Sequence, residues 1–173
     1  MQDRHEKNFA KFESLLEGWR LRFTREGFQF DDITEVSIYP VVLTPYRRHY
    51  SRKRDQREFN AYPITYWKEI EPTAIDDYSH ACYMHFALQE KNIMRNTFEE
   101  YGIVIFPVIV SPNVDSIALS YVQRHHAEHG NDIEFPVIYD IDLDMVYMRR
   151  TNPGKGDPFF DPYRGEIEYI LKG

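Results

Sequence analysis

Residues 103–110 read Ile-Val-Ile-Phe-Pro-Val-Ile-Val, eight positions with no polar side chain. A strand of that composition has no face to turn to water, so it belongs in the middle of a sheet with cover on both sides. The residues after it fix the local order. Ser111–Asn113 break the run, 115–130 carry a helical pattern, and a second apolar run, Phe135–Tyr139, passes through an acidic turn at 141–144 into Met145–Arg149. The β-α-β-hairpin order over 103–150 predicts an α/β or α+β core with a mixed sheet. The rest of the chain must supply its cover.

Part of that cover is plain. Phe9, Phe12, Leu16, Trp19 and Phe23 recur at spacings of three and four, which makes one apolar stripe on a helix over 4–26 that Gly27 ends. A second helix is expected over 73–101, either as one bent rod or as two pieces divided at 89–96, with Gly102 as its stop. Strands are expected at 35–43 and 60–67. Each holds a proline, Pro40 and Pro63, which marks both as edge or bulged strands. The polar connection between them exceeds the two to five residues of ordinary hairpins, so 45–59 reads as a protruding basic loop, the finger of a long hairpin. Beyond the core hairpin, 151–162 is turn-rich, and 164–173 fits a helix slightly better than a strand.

At 173 residues the chain can bury roughly 70% of its unfolded surface, so one domain over 1–173 is expected. Cys82 is the single cysteine, which excludes an intrachain disulfide and fits a reducing, cytoplasmic setting. It lies on the apolar stripe of the second helix and reads as packing rather than as a nucleophile. No run of about 18 apolar residues exists to span a bilayer, so a soluble protein with no membrane partner is expected.

Charge is where function is most visible. Arg47, Arg48, Arg52, Lys53, Arg54 and Arg57 face one acid, Asp55, within 11 residues, a local charge of +5 in a chain whose total is −7; the remainder must then carry −12. Planar guanidinium groups suit bidentate contact with carboxylate or phosphate, and Tyr50 among them could stack on a base. The first reading is therefore a non-enzymatic binding or assembly protein that presents an arginine-rich finger, residues 46–58, to an acidic partner. That partner is an acidic protein surface, including that of a second copy, or nucleic acid. The binding residues are Arg47, Arg48, Tyr50, Arg52, Lys53, Arg54 and Arg57, with no cofactor.

The alternative is a metal-dependent enzyme acting on phosphodiesters. Asp140, Asp142 and Asp144 form a D-x-D-x-D run with Glu134 nearby, and clustered carboxylates can hold Mg²⁺. The same run sits at a turn, where aspartate is favoured for conformational reasons. His125 and His129 would share a helix face at i, i+4 as transition-metal ligands, with His126 beside them and a third donor drawn from His80 or His85. Nothing in the sequence brings those helices together, so no metal ligand is assigned.

Overall fold

The computed structural model describes residues 2–52, 54–150 and 160–173, with side chains from residue 6 onward. Lys53 and the turn-rich segment 151–159 lie outside the described residues. The fold is a mixed α/β arrangement in which a mixed sheet is sandwiched between two pairs of helices.

Helix α1 (Gln2–Arg25) follows the expected stripe: Phe12, Trp19 and Phe23 are fully buried, Leu16 is half-buried, and Phe9 remains 46% exposed at the helix start. Gly27 adopts a positive φ of 81°, and Phe28 N donates to Phe23 O at 2.9 Å, the closing geometry of a helix that ends on glycine. Strand β1 (Gln29–Asp31) comes next, then a minimal hairpin of β2 (Glu35–Val36) and β3 (Tyr39–Pro40), so the strand expected at 35–43 is two short pieces.

The segment read as a protruding loop is folded differently. Most of it forms β4 (Thr44–Ser51) and β5 (Gln56–Ala61), paired from Tyr46↔Ala61 to Ser51↔Gln56 with a tight turn between. Asp55 closes that turn at a positive φ of 52°, which aspartate tolerates better than most residues. Polar side chains on these strands suggested solvent; they pair with one another across the sheet and with the helices instead.

Strand β6 (Ile64–Tyr66) continues β5 after Tyr62–Pro63, and β8 (Val108–Ser111) continues β7 (Gly102–Ile105) after Phe106–Pro107. Likewise β11 (Val137–Asp140) continues β10 (Asp132–Glu134) after Phe135–Pro136. The strand order is β1-β4-β5-β7-β10-β9 in one half and β12-β11-β8-β6 in the other, where β9 is Ala127–His129 and β12 is Met145–Tyr147. Pairing is parallel among β5, β7 and β10 and among β6, β8 and β11. The strand expected at 60–67 is thus two pieces divided at Pro63: β5 is internal in its half of the sheet, whereas β6 ends the order of the other half, as an edge strand.

The parallel strands alternate between two cores, as a doubly covered strand must. Val104, Phe106, Val108 and Val110 pack with α1 and with α4 (Asp161–Lys172), which settles the C-terminal segment as a helix. Ile103, Ile105 and Ile109 pack with α2 (Pro72–Thr97) and α3 (Ser116–Val122). Helix α2 is one uninterrupted element with Pro72 in its first turn, and it stops at Phe98, whose φ is +56°, four residues before Gly102. Helix α3 is shorter than the pattern over 115–130 suggests. Its N-cap, Asp115, accepts from Ala118 N at 2.7 Å, but the chain leaves the helix after Val122 and enters β9, because pairing with β10 across the Gly130 turn captures residues 127–129. Gly130 sits at φ +71°, where a side chain would be strained.

Among the described residues, no helix is long and apolar enough to cross a membrane.

Candidate metal centre

Most of the basic residues singled out in the sequence are neutralised inside the fold. Arg47 pairs with Glu166 of α4 and lies over the Phe28 ring at 4.3 Å. Arg48 grips Glu90 of α2 with both ends of its fork, Nε to Oε2 at 2.9 Å and Nη2 to Oε1 at 2.5 Å, and Tyr101 Oη donates to the same carboxylate. Arg54 reaches Glu58 at 3.5 Å, Tyr163 Oη at 3.2 Å and Asn131 O at 3.3 Å. Arg57 meets Glu99 at 2.6 Å on the surface. Tyr50 is 56% exposed, and its hydroxyl donates to Asp55. Arg52 is exposed at the turn and forms no ion pair among the described residues.

These pairs build a buried polar layer beneath the hairpin. The Glu58 side chain is fully buried, accepts from Tyr163 Oη with both oxygens at 3.0 Å, and has its carboxyl held above the usual range by burial, which Tyr163 and Arg54 only partly offset. His49, 3.8 Å from Glu58, accepts through Nε2 from Asn60 Nδ2 at 3.0 Å; burial and then the Arg47 charge hold its imidazole below the ordinary value.

The aspartate run behaves as a turn. Asp140 is buried, and one of its oxygens accepts from Asp142 N and Leu143 N, both at 3.0 Å. Asp144 adopts a positive φ of 55° and accepts from Tyr139 Oη. Asp140 spends its carboxylate on its own backbone, as aspartate at turns does. The three histidines of 125–129 do not share a helix face: His125 faces Asp76 at 2.8 Å, His126 faces Glu128 at 3.1 Å, and His129 lies on edge strand β9. His85 contacts Gln89 instead of the other imidazoles. Cys82 is fully buried, and burial pushes its thiol well up, away from nucleophilic chemistry.

One constellation does gather metal-type donors. His80 of α2, His129 of β9 and Glu134 of β10 place their donor atoms within 4.8 Å of one another. Both imidazoles converge on a single oxygen: His80 Nδ1 is 3.2 Å and His129 Nε2 2.7 Å from Glu134 Oε1. The other oxygen, Oε2, accepts from Ser79 Oγ at 2.9 Å, which fixes the carboxylate plane. The Tyr83 ring stacks on the His129 ring at 4.3 Å and 12°, and its hydroxyl donates to Asp132 at 3.0 Å. Asp132 in turn accepts from Ile103 N at 3.0 Å and pairs with Lys91 at 3.2 Å. Every contact on the helix side comes from residues 79, 80, 83 and 91, one face of α2, and the opposite wall is the β9–β10 hairpin.

Access is uneven. The Glu134 side chain is 2% exposed, whereas those of His80 and His129 are 59% and 34% exposed, so the carboxylate is the floor and the imidazoles are the rim. In a tetrahedral zinc site with bonds of about 2.0–2.1 Å, donor atoms stand roughly 3.3–3.4 Å apart. His80 already stands at that separation from Oε1, and His129 would retreat by roughly half an ångström. The donor set, two imidazoles and a carboxylate, fits zinc and its first-row neighbours.

His129 and His80 are both legible in the sequence as metal-type residues, but the partner expected for His129 is His125. Glu134 is less distinct in the sequence, because it shares the three-residue strand β10 with a second carboxylate, Asp132. No protein-family model, curated protein or solved structure matches the chain.

Proposed function

We propose that this protein binds a divalent transition metal through His80, His129 and Glu134. The observation that carries the reading is a carboxylate buried without a lysine or arginine partner. Burying a charge is costly unless it is paired or coordinates a metal. Among the described residues, Glu134 has only a hydroxyl and two imidazoles around it, and no Lys or Arg reaches ion-pair distance. Ser79 and Tyr83 supply the outer partners that such a site needs to orient its ligands.

Titration calorimetry with Zn²⁺ on the full chain tests this. One equivalent should bind, and Glu134→Gln, which keeps the shape and removes the anionic donor, should weaken binding by more than the roughly 10–100-fold that losing an outer partner costs. A parent protein that takes up no zinc, or a Glu134→Gln variant that binds it equally well, would sink the proposal.

A second reading retains the acidic partner, narrowed to the tip of the β4–β5 hairpin. It is supported by exposed Arg52 beside the half-exposed Tyr50 ring. With Arg47, Arg48, Arg54 and Arg57 already paired to glutamates, the free charge left there suits a small acidic protein surface. Such binding would weaken with salt, and Arg52→Ser would flatten that dependence.

A further inference from the structure

We propose that the outward face of α2 pairs two copies of this chain, antiparallel, about a two-fold axis at the level of Phe86. Helix α2 buries one side, with Ile75, Tyr78, Cys82 and Phe86 in the core. On the opposite side Asp77, Ala81, Met84, Leu88, Lys91 and Arg95 follow one another at alternating spacings of four and three. That alternation is the seam along which two helices pack at a shallow angle. The middle of the seam is apolar and open to water: Met84 is 41% exposed and Leu88 61%. One turn apart on a helix, the two side chains form a single patch. Phe98, which ends the helix with a φ of +56°, is 96% exposed and extends the apolar surface at that end.

Charge decides what covers the patch. Asp77 lies toward the first end of the seam and Arg95 toward the last, roughly 27 Å apart at 1.5 Å per residue. Neither forms an ion pair among the described residues. A fitting partner therefore offers a positive charge at one end, an apolar middle and a negative charge at the other. A second copy running antiparallel does so with the same residues, because 77 and 95, 81 and 91, and 84 and 88 are symmetric about position 86. Asp77 then meets Arg95 of the second copy, and Met84 meets its Leu88. Lys91 is held aside by Asp132 at 3.2 Å, so the small Ala81 opposite it is not crowded. The same symmetry brings Phe98 beside Ala74, a small, half-buried residue in the first turn.

Such a contact is isologous, so each of these pairs occurs twice. A parallel pair would instead set Asp77 against Asp77 and Arg95 against Arg95, which like-charge repulsion disfavours. The contact does not rest on the metal site: His80 lies at the margin of the seam, with its Nδ1 turned toward Glu134.

The test is sedimentation equilibrium of the full chain in chelator, so that zinc plays no part. One helix pair is a small interface, so the mass should rise from monomer toward dimer between about 5 and about 500 μM. Leu88→Glu should abolish the rise while its circular dichroism and melting match the parent's, because the position is exposed in the single chain. Asp77→Arg and Arg95→Asp should each weaken the dimer roughly 10-fold, since each turns two attractive pairs repulsive. Combined in one chain, the two exchanges should restore it to within about 3-fold of the parent, with the pairs re-formed in reversed sign. A monomer at every concentration, or a Leu88→Glu variant that dimerises like the parent, overturns the contact and leaves the face to a partner of another sequence. Single exchanges that weaken the dimer without recovery on combination overturn the antiparallel register.

Discussion

Replacing Arg54 with serine distinguishes a charge on the surface from a charge built into the fold. The Arg54 side chain is 11% exposed and its partner Glu58 is fully buried, so the substitution strands a carboxylate that cannot reach water. Removing one partner of a buried ion pair costs about 3–5 kcal/mol. Two features lower that figure: the Arg54–Glu58 separation is 3.5 Å, and Tyr163 Oη goes on donating to both oxygens at 3.0 Å. A loss of about 2–3 kcal/mol is expected, near the low end for a broken buried pair, or roughly 5–10 °C in Tm for a chain of this size. Urea denaturation followed by circular dichroism reads it directly, with Arg52→Ser as the control. Arg52 is exposed at the same turn and should stay within about 0.5 kcal/mol of the parent. Adding Glu58→Gln to Arg54→Ser should recover part of the loss, because an amide tolerates burial without a counter-charge. If Arg54→Ser and Arg52→Ser prove equally mild, the buried pair does not exist in solution and the finger is free after all.

Trp19 offers a check on the α1 face: its indole Nε1 donates to Leu171 O at 2.8 Å and its ring meets Tyr139 edge-on at 5.0 Å. Trp19→Ala should cost about 3–5 kcal/mol in denaturant melts, and a cost under about 1 kcal/mol would place the helix elsewhere. The His49 imidazole, held down by burial and Arg47, makes the unfolded chain the better proton binder near and just below the ordinary histidine value of 6.5, so stability falls as pH drops through that window. His49→Gln should flatten the slope of stability between about pH 7 and 5.5, and an unchanged slope would show that another group titrates there.

How much of this is readable in the sequence depends on the range of the interactions concerned. The α1 stripe and the 103–110 strand depend on local periodicity and on a run too apolar for any face to be wet, and both are found where the pattern puts them. The β4–β5 segment is misjudged from sequence because its arginines look solvated in isolation. Their glutamate partners, Glu90 and Glu166, stand 42 and 119 residues away from Arg48 and Arg47, and only the folded sheet brings them close. His129 reads as helical because 115–130 keeps a helical pattern to its end; pairing with β10 outweighs that weak local preference. The metal-type triad thus depends on an edge strand that periodicity does not announce, and on Glu134, which the neighbouring Asp132 keeps from standing out in the sequence.

The sheet is creased along one line. Tyr62–Pro63, Phe106–Pro107 and Phe135–Pro136 fall at the same level of three neighbouring strands, and each proline deletes a backbone donor there. Crossing the crease is a train of rings: Tyr62 stacks on Phe106 at 4.5 Å, Phe106 meets Phe135 edge-on at 6.1 Å, and Phe135 stacks on Phe160 at 5.3 Å. The remaining amides still tie the strands there, Phe106 N to Ala61 O at 2.8 Å and Val108 N to Pro63 O and Val137 N to Pro107 O at 2.9 Å, so rings and backbone share the lateral cohesion at mid-sheet. Trimming Phe106 would take out the ring that joins Tyr62 to Phe135 and leave the crease to its backbone bonds alone, loosening a fold line as well as opening a hole in a core.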